Sequence, residues 1–203
     1  MASLREAQKE MTRRLLLDAG LGLFVEKGYA ATTVDDIATA AGTTRVTFYA
    51  YFPSRGELMK ALIDERLNER LQRIRSPEHG STALGLVAVV ADGGAEAIGA
   101  WIRQTAERWP DIHPIIRIGR DAAAVEPELR NLVERWLEEA ISDVEDGLSR
   151  AGRFDRGVRH FRGVLAMAEL DYVAQNWGYA DWKIDRDRML DELTTSWVRL
   201  LGA

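Results

Sequence analysis

The sequence predicts an all-α fold for this chain of 203 residues. Apolar residues recur at the i, i+3, i+4 spacing of a helix along most of the chain, and convincing alternating runs are absent. An apolar fraction of 46% is large enough to form a buried core. Ordinary Gly and Pro usage excludes collagen-like and low-complexity chains, and the absence of Cys excludes disulfide scaffolds and thiolate metal sites.

The first two helices are predicted from their apolar faces and their ends. An apolar stripe runs from Leu16 to Phe24, and Gly28 suits the left-handed cap that ends this helix. Thr33 begins the second helix, because its hydroxyl and the Asp36 carboxylate have the spacing of a capping box. Gly42 ends it.

Two further helices are predicted before residue 76. The third begins at Thr43 or Thr44 and runs to about Tyr51. The fourth begins after Ser54 and extends to about Arg75. Residues 76–94 are interpreted as a linker, in which the apolar run 84–90 can form a short buried helix. The remaining helices are expected near residues 95–108, 115–124, 128–151, 156–177 and 186–201.

The outward face of the third helix is suited to DNA. Two short helices joined by a Gly-containing turn form a helix-turn-helix, whose second helix can enter the major groove. With Phe48 and Phe52 inward, the opposite face has no acid. It carries Thr43, Val46, Thr47 and Ala50, flanked by Arg45 and Tyr49. An ordinary αα-corner has similar spacing, but these hydroxyl, guanidinium and methyl groups suit phosphates and base edges.

The order and spacing of many amino-terminal residues also match a known pattern. These residues are Leu16, Ala19, Phe24, Gly28, Thr32, Thr33, Ile37, Ala38, Ala41, Gly42, Thr47, Tyr49, Tyr51, Phe52, Pro53, Ser54 and Leu58. Over roughly residues 10–60 the chain resembles the TetR/AcrR family of bacterial transcriptional regulators. The resemblance implies a homodimer in which the helix-turn-helix region of each chain, here called its head, binds half of a palindromic double-stranded DNA operator. It also implies that binding of a small molecule usually relieves repression. It also implies a DNA-binding domain at 1–54, a connecting helix at 55–75 and an effector-binding and dimerisation domain at 76–203.

The resemblance also implies roles for individual residues of the head. Base reading is assigned to Thr44, Arg45, Val46 and Thr47, and phosphate contacts to Thr33, Tyr49 and Arg55, with Thr43 on the same face. Two departures from the family pattern are Val46, where Gly is frequent, and Ala50, where many members have a phosphate-contacting His. Helix capping alone also explains Thr33, and a partly buried core ring also explains Tyr49.

The carboxy-terminal region is predicted to bind the effector. Bulky residues there suit a sizeable hydrophobic ligand, although ordinary core packing explains each of them singly. The candidates are Trp101, Ile118, Trp136, Met167 and Asp171. Asp171 is interpreted either as a member of a surface or interface ion pair or as a buried counter-charge for a cationic ligand.

The last two helices are predicted to form the dimer interface. Each helix has apolar residues on more than one side, and the resemblance implies a four-helix interface built from these two elements and their symmetry copies. The candidates are Phe161, Leu165, Tyr172, Met189, Leu193, Trp197 and Leu200. Their stripes alone equally suit the core of a monomer.

Charge and motif counts restrict the remaining function classes. The net charge of −5 conceals an asymmetry, because residues 1–75 hold 12 basic and 10 acidic residues whereas residues 76–203 hold 15 and 22. No catalytic motif is found and the three His residues are scattered, so no enzyme, cofactor or metal site is predicted. The absence of long apolar segments predicts a cytoplasmic protein without membrane partners. The alternative function is a helical ligand-binding or interaction module that keeps the helix-turn-helix only as a scaffold.

Overall fold

The computed structural model describes residues 4–67, 74–76, 80–82, 85–177 and 181–202. These residues form ten α-helices, one π-helical segment and one two-stranded hairpin, which confirms the predicted all-α fold. The α-helices are α1 (Leu4–Lys27), α2 (Val34–Ala40), α3 (Arg45–Tyr51), α4 (Arg55–Ala61), α5 (Leu86–Asp92), α6 (Ala95–Ala106), α7 (Trp109–Val125), α8 (Pro127–Arg150), α9 (Arg156–Gln175) and α10 (Arg186–Leu201). Within the described ranges, no helix is long and apolar enough to cross a membrane.

The segment after α4 differs from its prediction as one helix to Arg75. The α-helix ends at Ala61 and continues as a π-helix over Leu62–Leu67. Strand β1 (Ile74–Ser76) then pairs antiparallel with β2 (Gly80–Thr82), so cross-strand partners replace helical ones for these backbone groups. Residues 68–73 of the predicted helix lie outside the described residues, as do 77–79 and 83–84 of the predicted linker.

The chain divides into two compact units. Unit 1 contains residues 1–67 and 114–133, and unit 2 contains residues 68–113 and 134–203. The unit that holds the amino-terminal helices therefore includes residues 114–133, which lie far along the chain. Both α7 and α8 run from one unit into the other.

Unit 1 is organised around the apolar stripe of α1. Leu16 and Phe24 on this stripe are fully buried, as are Ile37 of α2 and Phe48 of α3. Gly20 lets α4 approach closely, because a Cβ at this position would lie 2.7 Å from Cδ2 of Leu58. This core fixes the positions of α2 and α3.

Unit 2 contains a pair of stacked tryptophans and an arginine that caps the carboxy-terminal end of α5. The rings of Trp101 in α6 and Trp197 in α10 stack with centroids 5.5 Å apart. Arg153 donates hydrogen bonds to the backbone carbonyls of Val90 (2.7 Å) and Asp92 (2.7 Å) in the last turn of α5. These carbonyls lack helical partners, so the guanidinium satisfies acceptors that the end of the helix leaves open.

Candidate nucleic-acid interface

Helix α2 begins with the capping box that the sequence predicts. The backbone N–H of Asp36 donates to the Thr33 hydroxyl (3.1 Å), and the Thr33 backbone N–H donates to the Asp36 carboxylate (3.0 Å). The Thr33 hydroxyl also donates to this carboxylate at 2.8 Å. Hydrogen bonds from Thr33, with help from the nearby Lys27 ammonium, lower the pKa of Asp36. The capping role of Thr33 is therefore present, and its predicted DNA contact stays a prediction.

Helix α3 is short, capped and anchored by one face. The Thr44 hydroxyl accepts a hydrogen bond from the Thr47 backbone N–H at 3.2 Å. Phe48 is fully buried and its ring lies 5.9 Å from that of Phe52, which confirms that both point inward. On the opposite side of the helix Val46 is 81% exposed. An apolar side chain gains no burial free energy in that position, so packing within the chain does not explain a Val there.

An acid of α2, Asp35, lies against the exposed face of α3, although the residues of α3 alone predict a face without an acid. The guanidinium of Arg45 donates to the Asp35 carboxylate at 3.0 Å and to the Tyr49 hydroxyl at 3.4 Å. The guanidinium also lies 5.5 Å from the centroid of the Tyr49 ring. Tyr49 is 43% exposed, and its ring lies edge-on to that of buried Phe48 with centroids 5.6 Å apart, so the alternative of a partly buried ring stays open.

The Arg55 side chain is directed toward the backbone of its own unit. Its Nη1 donates to the carbonyls of Tyr29 (2.9 Å), Ala30 (3.3 Å) and Thr32 (2.6 Å). These contacts fix the turn between α1 and α2, which directly precedes the Thr33 cap. They describe a structural role for Arg55, and its predicted phosphate contact remains untested.

A tyrosine and an acid from distant parts of the chain complete this cluster. The buried Tyr29 hydroxyl donates to the carboxylate of Glu126, which lies between α7 and α8. Arg55 stacks 4.1 Å above the Tyr29 ring and lies 3.7 Å from the same carboxylate. Nearby, Lys60 pairs with Glu57 (2.6 Å) and Glu128 (2.9 Å), and hydrogen bonds to both raise its pKa to about 12. No sequence spacing points to this cluster, because 97 residues separate Tyr29 from Glu126.

The effector candidates are distributed over both units. Ile118 is buried in unit 1, whereas Trp101, Trp136, Met167 and Asp171 belong to unit 2. Asp171 accepts a hydrogen bond from the Gln175 amide at 2.6 Å. Trp101 also borders an open groove of about 630 Å³ beside α5 and α6, together with Val89, Ala97 and Arg103.

The dimer candidates separate into exposed and buried residues. Phe161 and Tyr172 on α9 are 60% and 65% exposed, and Leu165 between them is also exposed. On α10, by contrast, Leu193 and Trp197 are 6% and 0% exposed within a single chain, so they have little surface to offer a partner. Their predicted place at the interface stays a prediction. Met189 and Leu200 are half-buried.

The fold and this site define a helix-turn-helix protein with a carboxy-terminal helical region. Residues 16–62 match the family described as "Bacterial regulatory proteins, tetR family". The chain is 37% identical over 82 residues to the HTH-type transcriptional regulator TtgR of Pseudomonas putida, covering 39% of this chain and 38% of that protein. It is 35% identical over 65 residues to the uncharacterized HTH-type transcriptional regulator YvdT of Bacillus subtilis, covering 32% of this chain and 34% of that protein. The chain therefore spans between 34% and 38% of the length of these two curated relatives, and the family match covers residues 16–62 alone.

Solved structures extend the likeness to the whole fold. The chain superposes on SmeT, in its complex with triclosan, with a TM-score of 0.68 over 91% of this chain and 90% of that one, at 22% identity. It superposes on FadR of Bacillus subtilis, in complex with stearoyl-CoA, with a TM-score of 0.65 over 94% and 98%, at 18% identity. At these identities the likeness establishes the fold alone.

Proposed function

We propose that this chain is a cytoplasmic, one-component transcriptional repressor that binds a palindromic operator as a dimer and responds to a small hydrophobic effector. The observation that carries the proposal is the exposed face of α3. Phe48 and Phe52 anchor this helix, while Arg45 and Val46 project away from the core. An exposed Val beside an Arg and a Thr provides an apolar surface for a thymine methyl and donors for base edges, which a merely solvated face does not need.

The residues around α3 position the head on the DNA backbone in this proposal. Thr33 and Thr43 precede the two short helices, and Tyr49 presents its hydroxyl on the exposed side. Such groups contact phosphates and set register without reading sequence. Residues 1–54 act as the DNA-binding domain, 55–75 as the connection and 76–203 as the effector-binding and dimerisation domain.

A second copy of the chain is the proposed partner of α9. Val158, Phe161, Leu165, Ala168 and Tyr172 are all exposed, and their spacing of three, four, three and four residues places them on one stripe. Large side chains on one exposed stripe indicate an interaction surface, and a twofold axis lets the same stripe cover itself. In a dimer, the two α3 helices would enter successive major grooves about 34 Å apart.

The effector is proposed to bind in unit 2 beside Trp101. The groove is lined by Trp101 and the apolar side chains of Val89 and Ala97, and its other lining residues include Arg103, Gln104 and Glu107. Two proteins with this fold are in complexes with triclosan and with stearoyl-CoA, both of which have large apolar parts. An effector needs to supply a coupling free energy of only about 1–3 kcal/mol to change operator occupancy several-fold.

Selection of bound duplexes from a random DNA pool tests the DNA-binding proposal directly. We expect a palindromic consensus to emerge. If each head neutralises about four phosphates, the logarithm of the affinity should fall against the logarithm of the salt concentration with a slope near −7. Binding that does not respond to salt would contradict the proposal.

The variant Arg45→Ala distinguishes the DNA-binding function from the alternative in which the helix-turn-helix is only a scaffold. A head that reads DNA should lose sequence selectivity in this variant while its thermal unfolding stays close to that of the wild type, because the side chain is exposed. Unchanged selectivity would favour the interaction-module function. For an enzymatic function we name no catalytic residue. Turnover of a bound ligand by the purified protein would be required to support such a function.

A further inference from the structure

Asp35 is the one acid that the described structure places against the base-reading residues of α3. It lies in the first turn of α2, next to Asp36, which forms the capping box. The two neighbours therefore have different tasks. Asp36 satisfies the start of its own helix, whereas the Asp35 carboxylate reaches across the turn to the guanidinium of Arg45.

The contacts hold the Arg45 guanidinium from two sides. Nη1 donates to Asp35 at 3.0 Å, and Nη2 donates to the Tyr49 hydroxyl at 3.4 Å. Arg45 and Asp35 are 59% and 62% exposed, so the pair remains accessible to a ligand. A guanidinium has five N–H donors in a fixed fork, and these two contacts leave donors free for a further acceptor.

Such a pair responds differently to phosphate and to guanine. A neutral ion pair gains little counterion-release free energy from DNA that offers only phosphates, because Asp35 already balances the charge of Arg45. Guanine presents the acceptors O6 and N7 side by side in the major groove, and an oriented guanidinium fork can donate one hydrogen bond to each of them. Holding the guanidinium in one orientation therefore weakens binding to DNA of any sequence more than it weakens binding to a site with a correctly placed guanine.

We propose that Asp35 is a specificity-determining residue of the head, which acts by orienting Arg45 toward a guanine and by opposing its attraction to phosphates. This inference rests on the proposed DNA-binding function. Asp35 itself need not touch DNA, so it is a positioning residue. Its effect should appear in the ratio between operator binding and general DNA binding.

The test compares the wild type with Asp35→Asn on the operator selected from the random pool and on a scrambled duplex. Fluorescence anisotropy gives both affinities over a series of salt concentrations. We expect Asp35→Asn to bind the scrambled duplex several-fold more tightly, to change little on the operator, and so to lower the specificity ratio at least threefold. On the scrambled duplex the salt slope should become more negative by about 1 for each bound head.

Two further variants show whether the effect passes through Arg45. In an Arg45→Ala background, Asp35→Asn should leave the specificity ratio unchanged, because the residue to be oriented is missing. Asp187→Asn, at an exposed position on α10, is the matched control for loss of one negative charge. Replacement of operator guanines by 7-deazaguanine, which lacks N7, should weaken wild-type binding at the position that Arg45 reads.

The outcomes distinguish this inference from the proposed function. A wild type that selects no sequence overturns both. A selective wild type overturns the inference alone if Asp35→Asn raises both affinities by the same factor, as Asp187→Asn would through net charge. The inference is also overturned if Asp35→Asn lowers the ratio equally in the presence and absence of the Arg45 side chain.

Discussion

The hydroxyl of Tyr29 donates a hydrogen bond to the carboxylate of Glu126, and this contact ties the turn after α1 to the junction of α7 and α8 within unit 1. Arg55 lies against both partners. Burial, followed by the hydrogen bond to Glu126, raises the pKa of Tyr29 above its ordinary value of 10.0. The contact therefore links residues 114–133 to the turn that precedes Thr33.

Tyr29→Phe should destabilise unit 1, because it removes the donor and keeps the ring. A hydrogen bond to a charged group contributes about 1.5–3 kcal/mol, and urea unfolding at pH 7 measures the loss. The pKa of Tyr29 is higher in the folded state, so its contribution is complete below about pH 10 and is lost as the pH rises further. The difference between the two proteins should therefore shrink at alkaline pH. Parallel stability curves up to pH 11 would contradict this assignment.

Gly56→Ala should reverse the sign of its effect when Glu126 is truncated. In the first turn of α4, a Cβ at position 56 would overlap Oε2 of Glu126, and the other oxygen of this carboxylate, Oε1, contacts Tyr29 and Arg55. We expect Ala to destabilise the wild type by about 1 kcal/mol. In a Glu126→Ala background the same change should stabilise by about 0.5–1 kcal/mol through helix propensity. Urea unfolding of the wild type, the two single variants and the double variant measures both changes in stability. Equal effects of Gly56→Ala in both backgrounds would show that Glu126 does not occupy this space.

Asp36→Asn should alter the acid side of the stability curve. Hydrogen bonds from Thr33 lower the folded-state pKa of Asp36, so its stabilisation is present above its unfolded value of about 3.8 and is lost as the pH falls through the lowered value. We expect the variant to be less stable at pH 7 and its curve to meet that of the wild type at low pH. Thermal unfolding between pH 2 and 7 measures this, with Asp187→Asn as the control for an exposed acid.

Phe161→Glu should convert the proposed dimer into a monomer. The substitution places a charge in the middle of the α9 stripe and, by twofold symmetry, opposite or near its own copy. An unpaired buried charge costs several kcal/mol, so the dimer should weaken roughly 100-fold or more. Sedimentation velocity at several concentrations measures the change. Met11→Glu, on an exposed apolar residue of α1, should leave the oligomeric state as it is.

Local features of the head could be predicted from the sequence. The capping box of Thr33 with Asp36 and the inward orientation of Phe48 with Phe52 follow from spacing within one helix, and the structure has both. Capping and helical periodicity involve residues three or four positions apart, so a single sequence contains the whole of each interaction.

The partners of these faces could not be predicted in the same way. The carboxylate of Asp35 reaches the α3 face from another helix, so counting residues within α3 found no acid. Likewise, Trp197 has the period of an interface residue, but it stacks on Trp101 inside unit 2. Periodicity identifies which residues share a face, and only the packing shows what covers that face.

The carboxylates beside the predicted DNA contacts have a calorimetric consequence. Asp36 accepts hydrogen bonds from Thr33, and Glu126 lies near Arg55. A phosphate that engages these donors would exchange one anion for another, with no net gain in hydrogen bonds. The heat of operator binding should therefore be small at room temperature, and the driving force should come from the entropy of released counterions.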